Sequence, residues 1–308
     1  MSVFTDTAIA APNRRIHFCE MADKGVAEAT PKFKFIVMSL VGPSLENIRR
    51  SILGGDFTQS TVCQIALQTL QAIEDLHALG YLHRDIKPHN YAVGIPPKDN
   101  VVFMLDFGIC RKFVDKDGML KVPREKVKFL GTVKFASRNC HKGREQGRAD
   151  DLEQWIFMIY DVSSLSLSST PTQLFNHNNL PWRQQRDRHK VGRMKEDFFN
   201  KEKVHSFVYN SVPGDFTRIL IYIAGLAYSD QPDYYFIKKV IKQACEVKKI
   251  DLSEPLDWAN ALENKDNETK APSISKKMKV NKKEGSEIGT RKGAASENEN
   301  EDSKTPDG

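Results

Sequence analysis

The sequence predicts an α+β fold, with a small strand-bearing part followed by a larger, mainly helical part. Three stretches carry that expectation. Residues 33–41 (FKFIVMSLV) form a short apolar run with β-branched residues, which suits a buried strand. Within residues 58–80, Val62, Ile65, Ala66, Leu70, Ile73 and Leu76 recur at helical spacing, with Thr58 placed to cap the start and Gly80 to close the end. Residues 152–162 (LEQWIFMIYDV) are apolar nearly all round, the mark of a helix buried through the middle of a helical lobe.

The remaining elements follow in chain order. Residues 1–15 are weakly patterned and are expected to be a leader. Residues 16–19 suit a short strand, and the polar stretch after them a loop. Gly42-Pro43-Ser44 is a turn, and residues 45–52 can start a short helix. Residues 109–139 are polar, Lys-rich and too long for a simple connector; such loops usually carry function rather than packing. Residues 216–228 and 234–247 each show the three-and-four spacing of amphipathic helices, with Pro213 and Pro232 near their starts. From 263 onward aromatics are missing and large apolar groups are few, so that stretch cannot offset its ordering entropy and is expected to be disordered. The expected division is a leader at 1–15, a folded domain at 16–262 and a tail at 263–308.

Composition narrows the class. At 308 residues and 40% apolar content the chain can bury one large core or two modest ones. The net charge of +6 is spread along the chain; it suits an acidic or phosphorylated partner, does not argue for nucleic acid, and equally suits an ordinary solvated surface. The five cysteines (Cys19, Cys63, Cys110, Cys140 and Cys245) are widely spaced and contain no Cys-x-x-Cys pair, which fits a reducing compartment and neither a disulfide framework nor a zinc site. No apolar run approaches the ~20 residues a membrane span needs, and no unbroken apolar signal region opens the chain. A cytoplasmic chain without a membrane partner is expected. The basic cluster Lys276, Lys277, Lys279, Lys282 and Lys283 leaves a nuclear location open beside the plainer reading of solvated disorder. The oligomeric state is not legible.

The chemistry concentrates in residues 81–108, YLHRDIKPHNYAVG followed by a connector and VVFMLDFG. Asp85, Asn90 five residues later, and Asp106 opening Asp-Phe-Gly are the groups phosphoryl transfer needs. One carboxylate orients the attacking hydroxyl; an amide and a second carboxylate hold the Mg²⁺ ions that bridge the triphosphate. Lys87 can reach the transferring phosphate as a point charge. His83 reads as a packed structural histidine, because Asp85 already has the base-like role. Arg84 reads either as neutralising a group in the following segment or as pairing with a surface carboxylate. Trp155 and Phe157 read as core, Trp182 as packing a loop onto the lobe, and Asp150 as a solvent-facing neighbour of Asp151, since adjacent helical residues diverge by ~100°.

In that order and spacing, His83-Arg84-Asp85, Asn90 and Asp106-Phe107-Gly108 resemble the catalytic and metal-binding loops of protein kinases. The runs VMSLVGPSLENIRR and GTVKFASRNCHKGREQGRADDLEQW resemble the casein kinase I group, and LPWRQQRDRHKVG, QPDYYFIKKV and LDWANAL are similar to the tau-tubulin kinases. The resemblance spans residues 16–262 and implies a protein-kinase-like fold, a serine/threonine protein kinase using ATP and Mg²⁺ on a protein substrate. By it, Thr132 would hydrogen-bond within the catalytic loop and Asp151 would anchor that loop's backbone. Met38 would be the gatekeeper, with Ser39 and Leu40 at the adenine-binding hinge. Arg124 with Lys128 would meet a substrate anion, implying an acidic or pre-phosphorylated substrate. Ser137-Arg138-Asn139 and Lys134-Phe135 depart from the group's pattern beside the substrate.

The resemblance also implies parts this sequence does not show. Only Gly25 precedes Gly42, so no Gly-rich phosphate loop is present, and Lys24, Lys32 and Lys34 lie too close to the hinge strand to be the separate strand lysine. The first three strands and the helix after them are expected to be missing, leaving a truncated β lobe with an uncovered edge. Three explanations stay open: an incomplete record of an active kinase, a catalytically silent kinase-like binding module, or a lobe completed by another segment or chain. A small-molecule phosphotransferase shares the Asp…Asn logic but does not need Gly131-Thr132 or the 150s helix in these places.

Overall fold

The computed structural model describes residues 2–28, 30–163, 180–199 and 216–259. Contacts divide the chain into units 1–269 and 270–308. The second unit, the tail's lysine cluster and Pro213 lie outside the described residues.

The architecture is α+β. The N-terminal part holds helix α1 (Ser2–Ala8) and an antiparallel hairpin of β1 (Met21–Ala27) and β2 (Phe33–Met38). Residues 2–8, read from sequence as part of an unpatterned leader, instead pack inward: Phe4 meets Phe107 edge to face, with ring centroids 5.3 Å apart. The polar stretch expected as a loop is β1. Pairing with β2 over nearly its whole length overrides its poor strand propensity. The apolar run itself is corrected too: β2 is not buried, because the hairpin is two-stranded and Phe33, Val37 and Met38 stay exposed.

The chain then passes α2 (Leu45–Asn47), capped by the Ser44 hydroxyl, and enters α3 (Gln59–Ala78). Thr58 caps α3 as expected, accepting the Thr61 amide. Gly80 turns the chain at φ +82°, where a Cβ would strike Val114. Short antiparallel pairs follow: β3 (Tyr81–Leu82) with β6 (Arg111–Lys112), and β4 (Tyr91–Val93) with β5 (Val102–Met104). The Gly42 amide donates to the Val93 carbonyl at 2.7 Å and the Met104 amide to His17 at 2.8 Å, so both edges of β4–β5 hold the N-terminal part.

The helical part comprises α4 (Arg138–His141), α5 (Arg148–Val162), α6 (Arg188–Phe198), α7 (Phe216–Ala224) and α8 (Tyr234–Lys248). Every residue of α5 from Ala149 to Val162 is buried, as its all-round apolar pattern predicts. Trp155 donates its indole N–H to Thr69 of α3 at 3.0 Å, and Trp182 packs edge to face on Phe157. Asp150 is a correction: it is buried, not solvent-facing, because α5 has no exposed face. It accepts the Gly147 amide at 2.7 Å, and burial pushes its carboxyl up to about 7.

Candidate active site

The loop between β3 and β4 is anchored from beneath. Asp151 of α5 accepts the His83 amide at 2.7 Å on one carboxylate oxygen and the Arg84 amide at 2.9 Å on the other. His77 at the end of α3 adds a 2.9 Å contact to Asp151, and its other ring nitrogen meets the Tyr234 hydroxyl at 2.6 Å. Burial alone would raise the Asp151 carboxyl; the hydrogen bond and charge of His77 outweigh it and hold the group below its usual range. Gln154, one turn on, accepts the Ile86 amide at 3.0 Å. His77, Gln154 and Tyr234 were not singled out from sequence. Only the helical spacing of Asp151 and Gln154 hinted at a shared face.

Above this anchor the four side chains read as catalytic meet in one cluster. Asp85 accepts the Thr132 hydroxyl at 2.8 Å on Oδ1 and the Lys87 ammonium at 2.5 Å on Oδ2. Lys87 also reaches the Thr132 oxygen at 3.1 Å. The Asn90 amide nitrogen donates to the Asp85 carbonyl at 2.9 Å and to Oδ2 at 3.3 Å. Thr132 reaches Asp85 because Gly131 runs against the loop: its φ is +98°, and a Cβ there would sit 2.7 Å from the Arg84 carbonyl.

His83 is fully buried, as expected of a structural histidine, and its ring N–H donates to the Leu105 carbonyl over 2.9 Å; burial lowers its ring pKa. Arg84 reaches the segment after Asp-Phe-Gly, as one of its two readings has it, but grips a backbone carbonyl, that of Ile109, rather than a charged group. Arg84 and Asp106 both sit in the left-handed backbone region, at φ +69° and +61°. Non-glycine residues hold that conformation only where the surroundings impose it, commonly at functional sites.

Asp106 lies two residues beyond β5 and Asn90 one residue before β4, and the Leu105 amide donates to the Asn90 carbonyl at 2.8 Å, so Asn90 and Asp106 sit at adjacent strand ends. Asn90 spends its amide nitrogen on Asp85, leaving its oxygen as a donor atom toward a cation; Asp106 is exposed, with one carboxylate oxygen accepting the Gly108 amide at 3.2 Å. An amide oxygen and a carboxylate are the donor types that a hard divalent cation such as Mg²⁺ takes. Among the described residues no cluster of three or more His, Cys, Asp or Glu suits a metal.

The residues expected at a hinge, Met38, Ser39 and Leu40, make no contact with the Asp85 cluster among the hydrogen bonds of the described residues. Met38 and Leu40 are exposed, and Ser39 bonds back to Glu20 through its amide at 2.9 Å and its hydroxyl at 3.1 Å. A cleft of about 540 Å³ opens beside Ser39 and Leu40, walled by Phe18, Glu20, Val101 and Phe103. Asp85, Asn90 and Asp106 are not among the residues lining it. Arg124 and Lys128 are not brought to a common partner: Arg124 makes a two-pronged pair with Glu145 at 2.5 and 2.9 Å, while Lys128 is exposed. Burial would raise Glu145, but the Arg124 bond and the Arg111 charge win and hold it low.

The sequence matches the protein kinase domain family over residues 19–206, more than half of the chain. A putative serine/threonine-protein kinase of Caenorhabditis elegans is 36% identical over 79% of this chain and 67% of its own length. A probable serine/threonine-protein kinase of Dictyostelium discoideum is 31% identical over 73% of this chain and 42% of its own length. Serine/threonine-protein kinase spe-6 of C. elegans is 33% identical over 78% and 62% respectively. The chain therefore spans between two fifths and two thirds of the length of these relatives. Taken with the Asp85 cluster and its Asp151 anchor, these matches show that the chain belongs to the protein kinase family.

Proposed function

We propose that the chain is a serine/threonine protein kinase of the casein kinase I group, near the tau-tubulin kinases, that moves the γ-phosphate of ATP to a protein hydroxyl. The observation that carries this reading is the closed set of hydrogen bonds among Asp85, Lys87, Asn90 and Thr132. Asp85 accepts and orients the substrate hydroxyl. Lys87, now paired with Asp85, offers its charge to the phosphoryl group as negative charge shifts during transfer. Asn90 and Asp106 would hold Mg²⁺, which when bound screens the charge of the triphosphate. Thr132 fixes the Asp85 rotamer. The hinge at Ser39 and Leu40 would take adenine. An acidic or pre-phosphorylated protein is the proposed substrate class, supported by the exposed Lys126 and Lys128; Arg124 contributes less while Glu145 holds it. Among the described residues no helix is long and apolar enough to cross a membrane, and a cytoplasmic or nuclear setting is part of the same proposal.

The test compares phosphate incorporation from Mg-ATP into an acidic protein substrate by the wild-type chain and by Asp85→Asn. Loss of about 10²-fold or more is expected from removing a positioned proton acceptor. Equal incorporation by both would remove the reading. A second reading, a kinase-like binding module without catalysis, is favoured by the hairpin: its lysines Lys24 and Lys34 are exposed, and the lysine paired with Asp85 is Lys87. It expects no rise in melting temperature with millimolar Mg-ATP, since only a ligand that binds the folded state stabilises it.

A further inference from the structure

Helix α6 sends one charged side chain into the core. Lys195 is fully buried, and its partners among the described residues are neutral. The ammonium donates to the carbonyls of Val133 at 3.1 Å and Ala136 at 2.5 Å, and lies 3.3 Å from Nε2 of His141. The ring faces of Phe157 and Trp182 lie 4.9 and 5.3 Å away. An ammonium without a carboxylate in a dry core is costly, and a leucine or methionine would fill the space more cheaply. What it grips supplies the reason. Val133 and Ala136 lie within one turn after Thr132, whose hydroxyl sits on Asp85. Between them, the Lys134 carbonyl accepts the Trp182 indole N–H at 2.8 Å. Three carbonyls of the short stretch after Thr132 are thus tied to α6 and the loop before it.

We propose that the Lys195 ammonium is a positioning residue of the active site, gripping the Val133 and Ala136 carbonyls so that the backbone aims Thr132 at Asp85. The catalytic meaning of that grip rests on the kinase reading above; the grip itself does not.

The charged surroundings make the ammonium the responsive member of its cluster. Burial pushes Lys195 down to about 7, with Glu153 of α5 and Cys140 of α4 pulling only partly back. Glu153 is held by Arg138 at 3.1 Å, and Glu196 on α6 itself by Lys142 at 2.8 Å. Burial and the Lys195 charge push His141 down to about 4, so its ring is neutral across the same range, and burial raises Cys140. An ammonium donates to both carbonyls and to His141 with charge-assisted bonds; the amine has two weaker donors. Raising the pH through neutrality should therefore loosen the stretch after Thr132.

Hydrogen exchange on the whole chain reads this without any phosphate transfer, so an inactive chain and a failed grip are told apart. At about pH 6, Lys195→Met is expected to speed exchange of the 130–137 amides about tenfold while α5 amides keep their protection, and Lys195→Arg to restore much of it. Corrected for intrinsic rates, wild-type protection of 130–137 should fall between about pH 6 and about pH 8.5, and the Lys195→Arg profile should stay flat. Unchanged 130–137 protection in Lys195→Met, or an equal loss throughout α5, overturns the proposal. Should Lys195→Met not fold, the wild-type profile decides: a step at 130–137 supports the grip, and a flat profile overturns it.

Discussion

Asp150 and Asp151 are neighbours in sequence with opposite fates. Asp151 gains two backbone amides and His77 and is held low; Asp150 is buried with the Gly147 amide and pushed up to about 7 from an ordinary 3.8. The sign matters for stability. With the folded value raised, folded chains retain a proton that unfolded chains release, so this group's contribution is greatest at acid pH and is lost as pH rises from about 4 to about 7. Asp150→Asn keeps the Gly147 bond and removes the titration. The stability difference between wild type and Asp150→Asn, followed by urea unfolding, should therefore shift in favour of the variant across that window, with a slope of up to about 1.4 kcal/mol per pH unit. A difference independent of pH would show that Asp150 ionises normally.

Among the elements, α3 is tied at both ends: His77 in its last turn bonds Asp151 beneath the β3–β4 loop, and its N-terminus is held from far along the chain. Thr58 caps it and also donates to Asp257 at 2.7 Å, while the Thr58 amide donates to the other Asp257 oxygen at 2.7 Å. Trp258 next door is fully buried and donates to the Asp99 carbonyl at 3.0 Å. One cap therefore joins the start of α3 to residues far along the chain. Thr58→Ala should cost about 1–2 kcal/mol. Because both changes touch one set of bonds, Thr58→Ala with Asp257→Asn should cost less than the two single losses summed. Strict additivity in a double-mutant cycle would show that the Thr58–Asp257 contact contributes nothing.

Over the whole molecule, stability is unevenly spread. The α3–α5 core holds Trp155, Ile156 and Leu152 without exposure, whereas the β1–β2 hairpin leaves Val26, Phe33, Val37 and Met38 in solvent. An isolated two-stranded hairpin is marginal in water, and deleting a buried Leu or Ile side chain typically costs 2–5 kcal/mol. Native-state hydrogen exchange should show the hairpin amides opening at far lower free energy than those of α5, which should exchange only on global unfolding. Comparable protection in both would mean that the hairpin is covered as well as the core is.

Spacing marked Asp85, Asn90 and Asp106, because chemistry demands those groups at fixed intervals; helical periodicity marked α3, because burial on one face repeats every 3.6 residues, and an unbroken apolar run marked α5, because a helix buried on all sides has no polar face. Those signals are local, so one chain suffices to carry them. The tertiary fold decided which way Asp150 faces, what Arg84 and Arg124 hold, that residues 21–27 form a strand, and that Phe4 closes on Phe107. Each of those depends on a partner distant in sequence, and the pairing energy belongs to neither residue until packing brings the two together.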